Sequence, residues 1–305
     1  MNLPVIVWLI LSIIWGTTWL FIKLGLEGLP PFSFAGIRFV IALIPLVLLF
    51  IVRKPKVPAS RADWRLIAIT GLLTFSLNYG LVFWGENFIS SGLTAIFYST
   101  FPLFGLAIAH FYLPSEQMTV TKTTGVLLGI AGVVVIFFNE IRLADASAAK
   151  GSAAIILASL GTAYAGILIK SRGKHIDPLV LTIGQMAVGV LPLLVLGFWY
   201  EGNPLAFNWT ARAWVALVYL ALVGSALAFV LVYWLMQRMD VTKTQLIPLA
   251  STLIAVILGW LVLQEEFSWK TLVGGFFILF GLAVTVLGGR RRRKQIILRE
   301  PNPNS

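Results

Sequence analysis

Stretches of mostly apolar residues, each long enough to cross a bilayer as a helix, follow one another along the chain and are separated by short polar connections. They occupy residues 4–22, 32–52, 65–85, 92–112, 120–138, 151–170, 179–199, 213–236, 244–263 and 270–288. A transmembrane helix needs about 20 apolar residues to cross the hydrocarbon core. The pattern therefore predicts an all-α membrane protein with ten transmembrane helices and no soluble domain.

Polar side chains interrupt the apolar pattern of four of these predicted helices. Asn78 and Tyr79 lie near the middle of the third, and Tyr98, Ser99 and Thr100 lie in the middle of the fourth. A related pair of helices, the eighth and ninth, carries Ser225, Tyr233, Gln245 and Thr252. A polar group buried without a partner is costly. Polar residues at this depth therefore favour a chamber through the membrane.

The composition supports a membrane protein and excludes chemistry that depends on cysteine. Of the 305 residues, 59% are hydrophobic and 11% are charged, whereas a soluble domain carries about 25% charged residues. The chain has no cysteine, which excludes disulfides, thiolate chemistry and cysteine-ligated metals. The first apolar stretch lacks the basic N-terminal region of a signal peptide and is longer than the apolar core that signal peptides usually have. We therefore interpret it as the first transmembrane helix.

Lys and Arg residues lie mostly in alternate connections, and this distribution predicts the orientation. With both termini in the cytoplasm, seventeen of the 23 would face the cytoplasm, five the opposite side, and Arg38 would lie within a helix. This bias predicts ten spans with both termini cytoplasmic. The run Arg290–Lys294 belongs to a basic cytoplasmic tail, residues 290–305, and no regular structure is predicted after Gly289. The net charge of +11 thus indicates membrane lipid, and not nucleic acid, as a partner.

The two halves of the chain repeat each other in order. At offsets of 147 to 150 residues, Lys23, Pro31, Pro45, Trp64, Trp84, Glu116, Gly125 and Gly132 recur as Lys170, Pro178, Pro192, Trp214, Trp234, Glu265, Gly274 and Gly281. We interpret residues 1–140 as one five-helix repeat and residues 150–289 as a second. Because five is odd, the second repeat enters the membrane inverted, an arrangement typical of secondary transporters with a substrate site between the halves.

Arg38 is the charged side chain predicted well inside a helix, about 10 Å from the helix start at Pro31. A central arginine costs about 2.5–3.5 kcal/mol on insertion scales, so it should face protein or water. Two interpretations stay open: Arg38 binds an anionic group of the substrate, or it bonds to helix-end carbonyls and holds the fold. Gln185 occupies the corresponding place in the second half, and no acidic partner of Arg38 is evident.

Aromatic and polar residues form stripes along four helices at helical spacing. The stripes contain Phe75, Tyr79, Phe83 and Glu86 in the third helix, Thr94, Tyr98 and Phe101 in the fourth, Ser225, Phe229 and Tyr233 in the eighth, and Gln245, Pro248 and Thr252 in the ninth. Aromatic stripes in membrane helices usually serve packing, and this interpretation stays open. Each stripe is also accompanied by an amide or hydroxyl group that a ligand could satisfy.

The first and sixth helices are candidates for the sides of the chamber. Trp15 lies deep enough to form a wall, whereas Trp8 and Trp19 suit anchors at the membrane interface. The sixth helix carries small residues that permit close helix approach. Tyr164 is its one large amphipathic side chain.

Enzymatic and ATP-driven activities find no support in the sequence. There is no HExxH or GxSxG motif, and the only histidines are His110 and His175. The glycine runs 125–132 and 274–281 lie in apolar helices and lack the lysine and hydroxyl residue of a phosphate-binding loop. Glu86 is predicted at a helix end and not at the middle of the membrane, which disfavours proton coupling. His110 is either a proton relay or a local hydrogen-bonding group, and no cofactor or metal site is predicted.

A set of motifs spans the chain: Trp15 with Gly16, Arg38 with Phe39, Pro102 followed by Glu116, and the pair Glu265 and Glu266 before a glycine-rich last helix. Together with the repeat, this set resembles the EamA-type transporters of the drug/metabolite transporter superfamily. The resemblance implies a ten-helix carrier of the bacterial inner membrane, lined by its third, fourth, eighth and ninth helices with the first and sixth beside them. It also implies export of amino acids and related metabolites, with one branch that exports aromatic amino acids.

We therefore expect a secondary transporter that exports amino acids, aromatic or large neutral ones, and related metabolites by alternating access. The candidate substrate-binding residues are Trp15, Arg38, Asn78, Tyr79, Phe83, Tyr98, Tyr164, Ser225, Tyr233 and Gln245. One alternative is an exporter of other small metabolites or drugs, and a second is a membrane scaffold without transport. The expected partner is a small molecule such as an amino acid, and a monomer is compatible with the sequence.

Overall fold

A computed structural model describes residues 3–112, 119–143, 146–236, 238–239 and 247–297, without the side chains of 137–143, 233, 236 and 286–297. All regular structure within these ranges is helical. We number the helices α1 (Leu3–Leu26), α2 (Pro31–Arg53), α3 (Arg61–Gly85), α4 (Ser91–Tyr112), α5 (Val120–Leu143), α6 (Ala146–Arg172), α7 (Pro178–Glu201), α8 (Ala211–Val218, Tyr219–Leu227 and Ala228–Met236), α9 (Ile247–Leu263) and α10 (Trp269–Ile297).

Seven of the described helices, α1–α4 and α6–α8, are long and apolar enough to cross a membrane. Helices α5, α9 and α10 contribute shorter apolar stretches within the described residues, at Val120–Ile136, Ile247–Leu263 and Trp269–Thr285. The chain is therefore an all-helical, multi-pass membrane protein. The count of ten spans and the cytoplasmic position of both termini stay predictions of the sequence.

Helix neighbours are repeated between the two halves of the bundle. Helix α5 packs along α10, and α2 packs along α7, so each of these helices contacts its counterpart in the other half. Helix α1 lies against α8 and α9, and its counterpart α6 lies against α3 and α4. Both halves therefore contribute helices to one shared centre.

Two carboxylates join the halves at the end of the bundle that carries the turn between α3 and α4, which we call the hairpin end. Glu201, the last residue of α7, accepts bonds from the backbone N–H groups of Phe32 (2.8 Å) and Ser33 (2.7 Å) at the start of α2. Glu265, just after α9, accepts bonds from the first two N–H groups of α4 at 2.6 and 3.0 Å. The first N–H groups of a helix have no partner within it, so each carboxylate satisfies two donors and interacts favourably with the helix dipole.

The described helices contain three π-helical stretches, two of which lie at corresponding places in the two halves, and the apolar pattern does not predict them. These two are Leu72–Asn78 in α3 and Tyr219–Leu227 in α8. A π turn disturbs the usual backbone hydrogen bonds and often marks a functional site. In α8, the hydroxyl of Ser225 donates to the carbonyl of Leu220, five residues earlier (2.9 Å). The disturbed backbone is thus partly satisfied by a side chain.

Helix α4 is interrupted at Ser99 and Thr100, just before Pro102. Proline has no N–H, and its ring clashes with the carbonyl four residues earlier, so the regular helix ends before it. The hydroxyls of Ser99 and Thr100 each donate to the carbonyl three residues earlier at 2.7 Å. These bonds stabilise the interruption and place polar groups in the middle of the bundle.

Glycines let the backbones of α5 and α10 touch. A Cβ atom added to Gly132 would collide with the carbonyl oxygen of Gly274, and one added to Gly281 would collide with that of Gly125. We call this contact between the glycines of α5 and α10 the seam. Small residues at such a contact permit close helix approach in membranes. The seam explains why the glycine-rich runs lie in these two helices.

We expect Gly132→Ala to lower the free energy of unfolding by about 1–3 kcal/mol, because the added methyl group must push two backbones apart. The midpoint of thermal unfolding in detergent measures this loss. Gly105→Ala is the matched control, since nothing lies within 4 Å of a Cβ added there. The control should leave the midpoint unchanged or raise it, because alanine favours a helix by about 1 kcal/mol over glycine. Equal losses in the two variants would contradict the seam.

The last helix is longer than the sequence predicts. Helix α10 continues through the basic run Arg290–Lys294 to Ile297, so the prediction of no regular structure after Gly289 is wrong for residues 290–297. Arginine and lysine are good helix formers, and extending an existing helix is far easier than starting one. The backbone therefore stays helical after the apolar pattern ends.

Candidate functional site: a cavity between the two halves

A cavity of about 240 Å³ lies in the centre of the bundle, where the two halves meet. Its lining consists of Trp15, Thr18, Trp19 and Ile22 of α1, Arg38 of α2, Thr74, Asn78, Tyr79 and Val82 of α3, Ala95, Tyr98, Ser99 and Phe101 of α4, Thr162 of α6, Gly224 and Phe229 of α8, and Pro248, Ser251 and Thr252 of α9. A cavity of about 150 Å³ is enough for benzene. The site therefore has room for a small metabolite that contains a ring.

The irregular parts of the helices supply much of this lining. Thr74 and Asn78 lie in the π-helical stretch of α3, Gly224 lies in that of α8, and Ser99 lies at the interruption of α4. Irregular backbone at membrane depth is tolerated where it lines a cavity. The departures from regular helix thus coincide with the cavity.

Arg38 is the charged residue of the described lining, and it is buried. Its Nε donates to the hydroxyl of Ser225 at 3.0 Å, a bond between the two halves. Its guanidinium carbon lies 5.2 Å from the ring centre of Tyr79 and 5.7 Å from that of Phe83, within the range of cation–π attraction. Its Nη1 has no hydrogen-bond partner. A buried guanidinium with a free donor suits a carboxylate of a ligand.

Aromatic rings form another wall of the cavity. The ring centre of Tyr98 lies 5.3 Å from that of Trp19 and 5.6 Å from that of Phe101. The hydroxyls of Tyr98 and Thr162 share a hydrogen bond at 3.2 Å, which holds the tyrosine ring against α6. Such a group of rings offers faces and edges on which an apolar or aromatic part of a ligand can pack.

Most polar groups of the lining are satisfied within the protein. The hydroxyls of Thr18, Ser251 and Thr252 donate to carbonyls of their own helices at 2.7, 3.0 and 2.8 Å. Asn78 donates to the carbonyl of Thr74 at 3.2 Å, but its side-chain oxygen has no partner. An unsatisfied buried group costs about 1–3 kcal/mol. The Asn78 oxygen and the Arg38 Nη1 are therefore the acceptor and the donor that a ligand would satisfy.

Half of the residues predicted from the sequence meet at this cavity. Those in the lining are Trp15, Arg38, Asn78, Tyr79 and Tyr98. Phe83 and Ser225 are fully buried behind the lining, where both contact Arg38. Gln245 lies outside the described residues, as does the side chain of Tyr233.

Tyr164 does not line the cavity. Its ring packs against that of Tyr112, the last residue of α4, with the two ring centres 5.7 Å apart. Thr162 is the residue that α6 contributes to the lining. Two residues along a helix correspond to a rotation of about 200°, so Tyr164 faces away. His110 also lies outside the lining, at an exposed position near the end of α4.

Sequence reasoning assigned the wrong place to Trp19 and missed the burial of Glu86. Trp19 was expected at the membrane interface, but it lines the cavity beside Tyr98. Its spacing of four residues from Trp15 puts both on one helix face, and this signal could have identified it. Glu86 follows α3 as predicted, yet it is fully buried and both carboxylate oxygens lack a partner.

A family model covers both halves of the chain. The model of the EamA-like transporter family matches residues 2–138 and matches again at residues 149–287. The chain belongs to the EamA-like transporter family. The resemblance drawn from the motifs is thereby confirmed at the level of the family, whereas the aromatic-exporter branch stays a prediction. As a member of the family, the protein is a transporter of a small molecule and not an enzyme.

Two relatives of this EamA-family protein are named as transporters. The uncharacterized transporter YoaV of Bacillus subtilis (strain 168) is 30% identical over 283 residues, which cover 92% of this chain and 96% of the relative. The uncharacterized inner membrane transporter YedA of Escherichia coli (strain K12) is 25% identical over 279 residues, which cover 91% of this chain and 89% of the relative. A solved crystal structure shares the fold with a TM-score of 0.66 at 18% identity, over 94% of this chain and 98% of the other.

Proposed function

We propose that this EamA-family transporter exports amino acids, aromatic or large neutral ones, and related metabolites by alternating access. The observation that carries the proposal is the composition of the cavity. One buried guanidinium with a free donor faces a space that also contains a free amide oxygen and walls of tryptophan and tyrosine. This set of groups matches a small zwitterion with an apolar side chain.

Each part of an amino acid finds a partner in this cavity. The carboxylate would bind Arg38, the ammonium group would bind the oxygen of Asn78 and the ring faces, and the side chain would pack against Trp19 and Tyr98. Among the described lining residues there is no Asp or Glu. A cationic drug without a carboxylate would therefore meet Arg38 with no compensating negative charge.

The arrangement of the halves supports alternating access. The family model matches each half separately. Corresponding helices of the two halves pack against corresponding neighbours around the shared cavity. Two inverted repeats of this kind, residues 1–140 and 150–289, would rock about a central site so that it opens to one side at a time. We place the carrier in a bacterial inner membrane with both termini in the cytoplasm, in keeping with the name of the YedA relative and the distribution of Lys and Arg.

Counterflow in proteoliposomes tests this proposal. Vesicles loaded with unlabelled phenylalanine, tryptophan, tyrosine or methionine should take up the same labelled compound at matched internal and external pH. Such uptake would establish an amino-acid carrier whose substrate exchange needs no proton gradient. Uptake of a dye or sugar derivative and of no amino acid would refute the proposal in favour of the wider class of metabolite and drug exporters. Counterflow of any solute would exclude a scaffold without transport.

We expect Tyr98→Ala to reduce amino-acid counterflow at least tenfold, because the substrate loses the ring that packs against its side chain. Tyr98→Phe should keep most of the activity, since it retains the ring and loses only the bond to Thr162. Tyr164→Ala removes a tyrosine of the same kind outside the cavity and should leave counterflow unchanged. Similar losses in Tyr98→Ala and Tyr164→Ala would show that the effect does not arise at the cavity wall.

A further inference from the structure

Buried polar atoms without partners are concentrated in one layer beyond the cavity. Six such side-chain atoms occur among the described residues, and four of them belong to Glu86, Ser91 and Ser152. The other two belong to the cavity itself. With Lys23 and Glu265, these three residues form a layer that we call the polar roof. A group of unsatisfied buried atoms in a folded protein calls for an explanation beyond packing.

The polar roof lies between the cavity and the hairpin end. Glu86 follows Val82 by one helical turn, and Lys23 follows Trp19 by one turn. Both Val82 and Trp19 line the cavity, so the next turn toward the hairpin end reaches the roof. Glu86 is fully buried, which shows that the roof is closed in this structure.

The contacts that close the roof do not involve the carboxyl group of Glu86. Lys23 donates from Nζ to the backbone carbonyls of Glu86 (2.6 Å) and Ile89 (2.8 Å). The carboxylate of Glu265 is occupied by the first two N–H groups of α4. Neither contact includes the side-chain oxygens of Glu86. The roof therefore encloses an acidic group and provides it with no hydrogen bond.

Burial dominates the chemistry of this acidic group. Burial raises the pKa of Glu86 well above its ordinary value, Lys23 of α1 opposes this effect, Glu265 adds to it, and Arg38 of α2 opposes it. The part of α6 that packs against the end of α3 contributes the uncharged residue Ile155 and its neighbours. An ionised carboxylate without partners is costly in such surroundings, so the closed roof favours the protonated form.

We propose that Glu86 is a proton-binding site that gates the hairpin end: it carries a proton while the polar roof is closed and releases it when the roof opens to water. The carboxylic acid becomes a carboxylate, and the proton goes to water on the same side. Because the proton enters and leaves from one side, the site regulates opening without driving transport. This inference rests on the proposed alternating-access cycle in one respect, namely that the hairpin end must open.

Acidity outside the hairpin end should therefore keep the roof closed. The pKa of Glu86 is higher in the closed state than in the open state, where water surrounds the carboxylate. Between these two pKa values, each unit of rising pH increases the ratio of open to closed molecules by up to about tenfold. Below the lower value both states are protonated, and the ratio is constant at its most closed level.

Labelling of a single cysteine beneath the roof tests the site without any substrate. The chain has no native cysteine, so Ala95→Cys in the cavity lining would provide the sole thiol. Vesicles with the C-terminal tail in the lumen expose only the hairpin end to an impermeant maleimide. Leu205→Cys, on an exposed turn between α7 and α8, reports how the thiol reaction itself depends on pH. The measured quantity is the ratio of the two labelling rates between about pH 5 and about pH 8.

We expect this ratio to rise with external pH and Glu86→Gln to remove the rise, because an amide does not ionise. Glu27→Gln is the matched control: Glu27 lies just after α1, with an exposed carboxylate 3.6 Å from Arg212, and its loss should leave the pH response intact. A ratio that is independent of pH in the parent protein, or a rise that persists in Glu86→Gln, would overturn the assignment while leaving alternating access in place.

A second variant keeps the test independent of how well Glu86→Gln folds. Lys23→Gln should move the midpoint of the pH response upward, because the positive charge of Lys23 opposes protonation of Glu86. An unchanged midpoint would assign the titration to another group and overturn the proposal. No labelling of Ala95→Cys at any pH, with Leu205→Cys fully labelled, would show that the hairpin end does not open and would refute the alternating-access cycle as well.

Discussion

Replacing Arg38 by methionine should strongly reduce amino-acid counterflow while the protein stays folded. A hydrogen bond to a charged group contributes about 1.5–3 kcal/mol, so substrate affinity should fall roughly ten- to hundred-fold. Methionine has a similar length and no charge, and the hydroxyl of Ser225 keeps its bond to the carbonyl of Leu220. A buried ionic group replaced by an apolar one often costs no stability. Counterflow against substrate concentration and thermal unfolding measure the two effects separately.

Gln185→Met is the matched control for Arg38→Met. Gln185 is buried outside the cavity lining and donates to the hydroxyl of Thr70 at 2.7 Å. Its replacement should leave the affinity for substrate unchanged, and the hydroxyl of Thr70 keeps its bond to the carbonyl of Leu66 (2.7 Å). If Arg38→Met instead unfolds the protein, or binds amino acids as well as the parent does, the structural interpretation of Arg38 is the correct one.

Glu265→Ala should loosen the hairpin end and destabilise the protein. The variant removes the acceptor of two backbone N–H groups, those of Ser91 (2.6 Å) and Gly92 (3.0 Å). Hydrogen bonds to a charged group contribute about 1.5–3 kcal/mol, so the unfolding midpoint should fall by several degrees. The bond also joins the connection after α9 to the start of α4. Its loss should therefore speed maleimide labelling of Ala95→Cys from the hairpin side.

The neighbouring Glu266 provides the control for Glu265→Ala. Glu266 is exposed, so Glu266→Ala removes the same charge and the same number of atoms without freeing a buried donor. Its unfolding midpoint and labelling rate should match those of the parent. Equal effects of the two variants would show that negative charge near α9, and not the bonds to α4, holds the hairpin end.

The helices were largely predictable, because the hydrocarbon core imposes a length and an apolar composition on any segment that crosses it. The second predicted helix, residues 32–52, is observed as Pro31–Arg53, and proline at its first position and arginine at its last both mark helix ends. The seventh, residues 179–199, is observed as Pro178–Glu201. Such ends follow from local chemistry that the sequence displays directly.

The details of the site were less predictable, because they depend on contacts between distant parts of the chain. Arg38 could be placed within a helix, but its bond to Ser225 joins residues 187 positions apart. Glu86 was predicted at a helix end, but its burial was not predictable, since nothing nearby in sequence indicates that Lys23 and Glu265 lie close to it. Tyr164 was chosen for its chemistry alone, and two residues of helical rotation separate it from the lining.

Each π-helical stretch holds one more residue than a regular helix of the same length would. If one residue were deleted from Leu72–Asn78, α3 could continue as a regular helix, and the residues after the deletion would keep about the same orientation, because the wide π turn absorbs the extra residue. Tyr79 and Val82 would then still face the cavity, and Glu86 would still lie in the roof. A deletion from the regular part of α3 before Leu72 would instead rotate everything after it by about 100°. A single-residue deletion should therefore be tolerated better within Leu72–Asn78 than in the regular turns before it.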